Sequence, residues 1–147
     1  MSLLQDRATA LTRKFQSLSD WEARYKLLIE WGRELPAFPE ELRTEENKVR
    51  GCQSQVWLHA SLDEEGRMWL RADSDALIVK GLIATLLQVY SGVTPGDILQ
   101  FPPEFLKTLG FEGHLSPSRA NGLHAMLKQI RHYAVAFDYL WKSKKTH

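Results

Sequence analysis

The sequence contains one cysteine, Cys52, among its 147 residues. A single thiol excludes an intramolecular disulfide, and such scarcity is typical of proteins in a reducing compartment. It also argues against an iron–sulfur cluster held by this chain alone, because clusters usually take about four protein ligands, mainly thiolates. No C-x-x-C or His–Cys spacing predicts a zinc site. We therefore expect no metal site.

The sequence also lacks a strong net charge and a long apolar run. A formal net charge of +1 provides no field typical of proteins that bind nucleic acid or anionic membranes. The most apolar stretch, Leu77 to Tyr90, is interrupted by Lys80 and is shorter than the ~20 residues that a membrane span needs. The first residues lack the apolar stretch of a signal peptide. These absences predict a cytoplasmic protein that binds neither nucleic acid nor membranes.

The order of helical and β-prone segments predicts the fold class. A chain of this length fits one domain, which we assign to residues 1–147. Two β-prone runs, "QVWLHASL" and "MWLRAD", flank the turn signal "DEEGR" and predict an antiparallel hairpin near residues 54–72, with a further short strand near residues 48–50. The remaining periodic segments are helical. Because strands and helices are segregated along the chain, we expect an α+β domain with a small antiparallel sheet packed against several helices.

Capping patterns predict where three of the helices begin. Ser19 is expected to cap the second helix, with Glu22 reaching back as in a capping box. Asp73 and Asp75 are expected to cap the most apolar helix and to complement its dipole. Ser116, which is followed by proline, is expected to open the last helix.

The surroundings of Cys52 are unusual for a structural cysteine. The residue follows Gly51 at a predicted loop-to-strand junction and does not lie on an apolar periodic face. Lys48 and Arg50 are close in sequence, and nearby cations lower the pKa of a thiol and favour the nucleophilic thiolate. These residues alone leave two interpretations open, a reactive thiol on a functional loop and a small buried hydrophobic residue.

A cysteine hydrolase is a third hypothesis. Its nucleophile would need a histidine within hydrogen-bond reach and a group that orients the imidazole. None of the five histidines occurs in a recognisable protease or amidase context: His59, His114, His124, His132 and His147. The nearest in sequence follows along the predicted strand, roughly 20 Å away if the chain is extended. Only the fold can bring another histidine to the thiol.

Arg119 lies in the first turn of the last predicted helix, where the helix dipole favours anions over cations. Asn121 and Gly122 follow, and both are poor helix formers. Local rules that are broken together often mark a site. Arg119 is therefore either an exposed arginine tolerated at small cost or a group directed at a partner's carboxylate or at a sulfur anion.

Three stretches together resemble the signature motifs of SufE-like proteins. They are "GCQSQVW" at residues 51–57, "DSDALIVKGL" at 73–82 and "LSPSRANGL" at 115–123. The "W-E-x-x-Y" of Trp21 to Tyr25 and the "LP" that follows also match, so the likeness extends over about residues 20–133. Proteins of this family accept sulfur from a pyridoxal-phosphate-dependent cysteine desulfurase and pass it toward iron–sulfur cluster assembly. The resemblance implies a compact α+β domain similar to cluster scaffold proteins but without their ligand set.

The resemblance also implies roles for individual residues and partners. Cys52 would accept sulfur as a persulfide, while Arg119, Asp75, Gly51 and Gln53 would bind the partner or control the cysteine loop. The chain would be a stoichiometric sulfur carrier and desulfurase activator, not an enzyme, and would bind no cofactor of its own. Its partners would be the desulfurase and a downstream iron–sulfur scaffold complex, and it would be a monomer or weak dimer. A related alternative is a desulfurase partner that supplies another pathway, such as thiolated cofactor or tRNA synthesis.

The scarcity of cysteine then has a chemical reason. A neighbouring thiol would attack the persulfide and release sulfide. Because cytosolic thiols would do the same, we expect Cys52 to be largely buried at rest, with its loop turned inward over an apolar pocket. Burial raises the pKa of a thiol and opposes the effect of Lys48 and Arg50.

Overall fold

The computed structural model describes residues 2–145, with the side chains of all but Glu112 and Lys145. Within this range a two-stranded sheet packs against six α-helices, so the predicted α+β class is confirmed. The strands are β1 (Val56–Leu62) and β2 (Met68–Ser74). The helices are α1 (Leu3–Gln16), α2 (Trp21–Arg33), α3 (Leu77–Tyr90), α4 (Pro95–Gln100), α5 (Phe105–Thr108) and α6 (Pro117–Lys145).

The predicted hairpin is present, although it begins and ends two residues later than expected. Its antiparallel register runs from the pair Val56 and Ser74 to the pair Leu62 and Met68. The strand expected at residues 48–50 is only a single bridge between Lys48 and Trp57. The main chain around that bridge turns away after Val49, whose N–H donates to the carbonyl of Val56 at 2.8 Å.

Helix α3 is the most buried helix, as its composition predicts, with nine buried residues among 14. Gly81 in its second turn lies directly against the main chain of Leu28 in α2, where an added Cβ would overlap the carbonyl group. An added Cβ on Gly32 of α2 would in turn come within 2.9 Å of the main-chain nitrogen of Gly81 in α3. These two glycines let α2 and α3 pack backbone to backbone, so α2 is firmly held in the core.

The predicted cap of α2 is wrong by one residue. The side chain of Asp20, not that of Ser19, accepts a hydrogen bond from the N–H of Ala23 at 2.8 Å. Glu22 does not reach back to close a capping box and instead forms an exposed ion pair with Lys26. Ser19 lies one residue too early because helical dihedral angles begin at Trp21, which makes Asp20 the flanking residue.

The predicted caps of α3 are also wrong. Ala76 occupies the cap position, and no side chain makes the capping hydrogen bond. Asp73 instead pairs with Arg43 at 2.6 Å and with Lys80 at 3.6 Å. Asp75 accepts a hydrogen bond from the N–H of Gln55 at 3.1 Å. Strand β2 continues through Ser74, so Asp73 forms ion pairs beside the hairpin while Asp75 accepts a hydrogen bond at its end.

Helix α6 begins at Pro117 as predicted, and the Ser116 hydroxyl accepts a hydrogen bond from the N–H of Arg119 at 3.3 Å. The helix runs past the sheet, and Trp141 near its end packs over Gly66 in the hairpin turn. None of the helices in residues 2–145 combines the length and apolar character needed to cross a bilayer.

Candidate functional site

Cys52 lies in the loop that leads from the Lys48 bridge to the start of strand β1 at Val56. Gly51 adopts a φ of 92°, in the left-handed region that side chains rarely occupy. An added Cβ at this position would meet only Ala125, at 3.7 Å. The requirement for glycine is therefore conformational, and Gly51 is what turns the following residue toward the protein.

Cys52 faces a cavity of about 330 Å³ between its loop, α3 and the first turns of α6. The thiol is half-buried, so the structure provides part of the expected shelter. The apolar wall of the cavity is formed by Val56, Val79, Leu82, Leu123 and Met126. Five polar residues share the lining with them: Gln53, Ser54, Ser116, Ser118 and Arg119.

The Cys52 thiol makes a hydrogen bond to helix α6. Its Sγ lies 3.8 Å from the carbonyl oxygen of Gly122, to which the thiol donates. An added Cβ on Gly122 would lie 3.5 Å from the same sulfur, an ordinary van der Waals distance. The glycine noted in the sequence as a poor helix former therefore forms the wall nearest the thiol.

Burial raises the pKa of the Cys52 thiol above its ordinary value. The effect expected from Lys48 and Arg50 does not prevail. Both cations line a separate groove, together with Lys128 and His132. Lys48 also pairs with Glu45 at 3.1 Å. In the resting protein the sulfur is therefore held mainly as the protonated thiol.

Arg119 lines the same cavity as Cys52 and Gln53. Its side chain is exposed, and the guanidinium makes no hydrogen bond or ion pair with the part of the chain that the structure describes. Gln53 is also exposed. A cation and an amide are thus exposed to solvent at the cavity that contains the thiol.

Asp75 does not line the cavity. Its carboxylate accepts a hydrogen bond from the N–H of Gln55 at 3.1 Å. Its own N–H donates to the carbonyl of Gln55 at 3.3 Å. This reciprocal pair extends the hairpin by one residue beyond Val56 and Ser74. Asp75 therefore fixes the point at which the loop of Cys52 enters the sheet.

Among the described residues, the cavity lining contains one thiol and no histidine that could act as its base. His114 stacks on Trp21, His132 lines the separate groove, and His147 lies outside the described residues. No group of three or more His, Cys, Asp or Glu side chains in the described chain is placed to hold a metal ion. The arrangement suits thiol chemistry with an incoming partner better than hydrolysis.

Several residues of the cavity have no pattern in the sequence that would mark them as part of a site. Val79, Leu82 and Met126 follow the apolar period of their helices, so their pattern does not distinguish a cavity wall from a filled core. Ser118 carries no local signal of its own. Gly122 was detectable, because a glycine inside a helix usually has a packing or functional reason.

Comparisons with known proteins found a matching family and a similar solved structure. A family model described as "SufE: Fe-S metabolism associated domain" matches residues 9–134. Among solved structures, the chain is similar to a hypothetical protein from Thermus thermophilus, known from its solution structure. The two share 26% sequence identity with a TM-score of 0.75, over 89% of this chain and 95% of that chain. The family match contains Cys52, Asp75 and Arg119 and ends within helix α6.

Proposed function

The chain belongs to the SufE family, whose domain is associated with Fe–S metabolism, and from this membership we propose that Cys52 accepts sulfur from a cysteine desulfurase. The protein then passes the sulfur toward iron–sulfur cluster assembly. It acts in the cytoplasm as a stoichiometric carrier and desulfurase activator.

The observation that carries the proposal is that the one cysteine faces a cavity of about 330 Å³. A persulfide adds one sulfur atom at an S–S distance of about 2.05 Å. The cavity has room for this atom beside the apolar wall of Val79, Leu82 and Met126. A sulfur held there is shielded from the cytosolic thiols that would otherwise reduce it.

The transfer is a thiol–persulfide exchange. The Cys52 thiolate attacks the terminal sulfur of a persulfide on the desulfurase, and a new S–S bond forms as the donor's S–S bond breaks. The desulfurase cysteine leaves as a thiolate, and the proton lost by Cys52 goes to solvent. One neutral sulfur atom moves, so no external oxidant or reductant is needed. The next acceptor thiolate removes the sulfur in the same way.

Because burial raises the pKa of Cys52, the free protein is a poor nucleophile and docking must change the environment of the thiol. In our proposal the loop moves outward in the complex, where Arg119 meets a carboxylate or a sulfur anion of the desulfurase. Gln53 contacts the same partner, Gly51 permits the turn, and Asp75 controls the loop. The pyridoxal phosphate belongs to the desulfurase, and this chain contributes no cofactor.

The test replaces Cys52 with serine, which is close to cysteine in size but forms no persulfide. The variant and the wild type are incubated with a cysteine desulfurase and free cysteine, and sulfide release and intact mass are measured. We expect the wild type to gain the mass of one sulfur and to stimulate the desulfurase, and Cys52→Ser to do neither while keeping its melting temperature. Equal stimulation by Cys52→Ser would contradict the proposal.

A further inference from the structure

The W-E-x-x-Y motif of α2 lies outside the cavity, yet it holds the segment that leads into α6. The Tyr25 hydroxyl donates a hydrogen bond to the main-chain carbonyl of His114, 89 residues away in sequence. The Trp21 indole stacks on the His114 imidazole, with ring centroids 3.9 Å apart and planes inclined by 16°. Trp21 also lies against Gly110, where an added Cβ would come within 3.3 Å of the indole. We call these contacts to residues 110–114 the α2 clamp.

The α2 clamp ends just before the wall of the Cys52 cavity. Only Leu115 separates His114 from Ser116, and two residues span at most ~7 Å of chain. Ser116 caps α6 and itself lines the cavity. One and a half turns later, Gly122 presents its carbonyl to the thiol. A displacement of the clamped segment must therefore be passed to the start of α6.

The start of α6 is incompletely packed on its other side. A second cavity of about 90 Å³ lies behind it between α5 and α6, lined mostly by apolar residues together with Glu104, Lys107 and His124. Leu123 borders both cavities, and Ala120 and His124 face the second one. In these first turns the buried Leu123 packs into the core, while cavities lie on both sides of the helix. The attachment at the N-terminal end therefore contributes to the position of this part of α6.

We propose that Tyr25 and Trp21 are positioning residues for the sulfur-transfer site, which set the wall of the Cys52 cavity by clamping the segment before α6. The role of the α2 clamp in sulfur transfer rests on the proposed function, whereas its contacts are those of the resting protein. Helix α2 suits this task because its backbone packs directly on α3 through Gly81. Neither Tyr25 nor Trp21 lines the cavity, so both act through α6.

Loss of the clamp loosens the start of α6 and withdraws the Gly122 carbonyl from the thiol. Water then enters the cavity, so the cost of forming a buried thiolate decreases and the pKa of Cys52 falls. A lower pKa and a more open cavity both increase the rate of alkylation at a fixed pH.

The experiment compares two tyrosine-to-phenylalanine variants of the full chain. Tyr25→Phe removes the hydroxyl of the clamp. Tyr133→Phe is the matched control, because its hydroxyl also donates to a main-chain carbonyl, that of Leu58, at 3.4 Å and away from the start of α6. The readouts are the pKa of Cys52 from thiolate absorbance, the alkylation rate with iodoacetamide, and the melting temperature.

We expect Tyr25→Phe to lower the pKa of Cys52 and to speed alkylation about three- to tenfold, the range expected for the loss of one hydrogen bond. Tyr133→Phe should leave both unchanged, although it loses a bond of the same kind. Trp21→Phe, which keeps an aromatic ring for the core but shortens the stack, should give an intermediate rate. The inference is overturned if Tyr25→Phe alkylates like the wild type, or if Tyr133→Phe speeds alkylation equally.

This test and the test of function fail separately. Alkylation is measured on the isolated protein, so it reports on the α2 clamp even if Cys52→Ser still stimulates the desulfurase. A wild type that accepts sulfur, together with a Tyr25→Phe variant of unchanged thiol reactivity, would refute the clamp and leave the carrier function intact.

Discussion

The thiol of Cys52 donates to the carbonyl of Gly122, a residue 70 positions away in sequence, with 3.8 Å between sulfur and oxygen. A thiolate has no proton for this contact, so forming the nucleophile breaks it. The same contact ties the cysteine loop to α6. Chemical activation of the sulfur and release of the loop are thus linked through one pair of residues.

Gly122→Ala should separate stability from sulfur uptake. Alanine in a helix interior is favoured over glycine by up to about 1 kcal/mol, and the new methyl group would lie 3.5 Å from Sγ, which the resting thiol tolerates. The methyl group narrows the space for a persulfide beside the same sulfur. We expect the free energy of unfolding to rise while persulfide loading by a desulfurase slows.

Gly96→Ala is the matched control for this variant. Gly96 lies in helix α4, and an added Cβ would also lie 3.5 Å from its nearest neighbour, the Asp138 carboxylate. This variant should load sulfur like the wild type. Normal loading of Gly122→Ala, measured by intact mass over time, would show that the wall beside Gly122 does not limit the persulfide.

The pH dependence of alkylation follows from the raised pKa of Cys52. Only the thiolate reacts, and a free cysteine has a pKa of about 8.5. The folded protein should therefore still gain reactivity at pH values where a cysteine peptide has levelled off, and unfolding in urea should remove the difference. A rate profile that matches the peptide in the native state would contradict burial of the thiol.

The raised pKa of Cys52 also makes the free energy of unfolding depend on pH. Between the unfolded and the folded pKa of Cys52, the unfolded chain has lost a proton that the folded chain keeps. The free energy of unfolding therefore falls as pH rises through this window. Cys52→Ser should lack this part of the alkaline destabilisation.

Arg119→Ala tests the contact with the partner. The side chain is exposed and makes no ion pair within the described chain, so its removal should change the melting temperature little. Loss of a charge-assisted contact should weaken desulfurase binding about tenfold or more. Arg71→Ala, which removes an exposed arginine from β2, is the control. A large loss of stability with normal sulfur uptake would assign Arg119 to the fold instead.

The parts of the fold that the sequence predicts are those set by local periodicity. The hairpin, the buried helix α3 and the start of α6 at Pro117 follow from patterns within about 15 residues. The caps of α2 and α3 were misassigned because several acceptors compete within three positions. At α3 the competition is decided by Arg43, which lies 30 residues before Asp73 and draws it away from the helix.

The candidate site could be predicted only in part, because some of its contacts join residues that are far apart in sequence. Cys52 and Arg119 stand out because each breaks a local rule, and Gly122 does so as well. The cavity between them depends on residues from three separate elements, and the bond of Tyr25 to His114 spans 89 residues. Local sequence patterns carry no information on such contacts, so the role of the W-E-x-x-Y motif emerges only in the fold.

Asp75→Arg tests whether the hydrogen bond between Asp75 and Gln55 holds the loop of Cys52. The predicted helix cap, which the structure does not contain, has no part in this test. The carboxylate bonds the N–H of Gln55, while the main-chain N–H of Asp75 bonds the Gln55 carbonyl. Arginine removes the first bond and keeps the second, so the loop should open without loss of the hairpin. We expect several-fold faster alkylation of Cys52 in the free protein, as for loss of one charge-assisted hydrogen bond.

Asp75→Asn separates the hydrogen bond from the charge. Its amide oxygen occupies the same position and still accepts from the Gln55 N–H, so alkylation should stay near the wild-type rate. Addition of desulfurase should speed alkylation of the wild type and have little further effect on Asp75→Arg, because the loop of that variant is already released. If Asp75→Arg reacts as slowly as the wild type, this bond does not hold the loop closed, and the Cys52–Gly122 contact must do so alone.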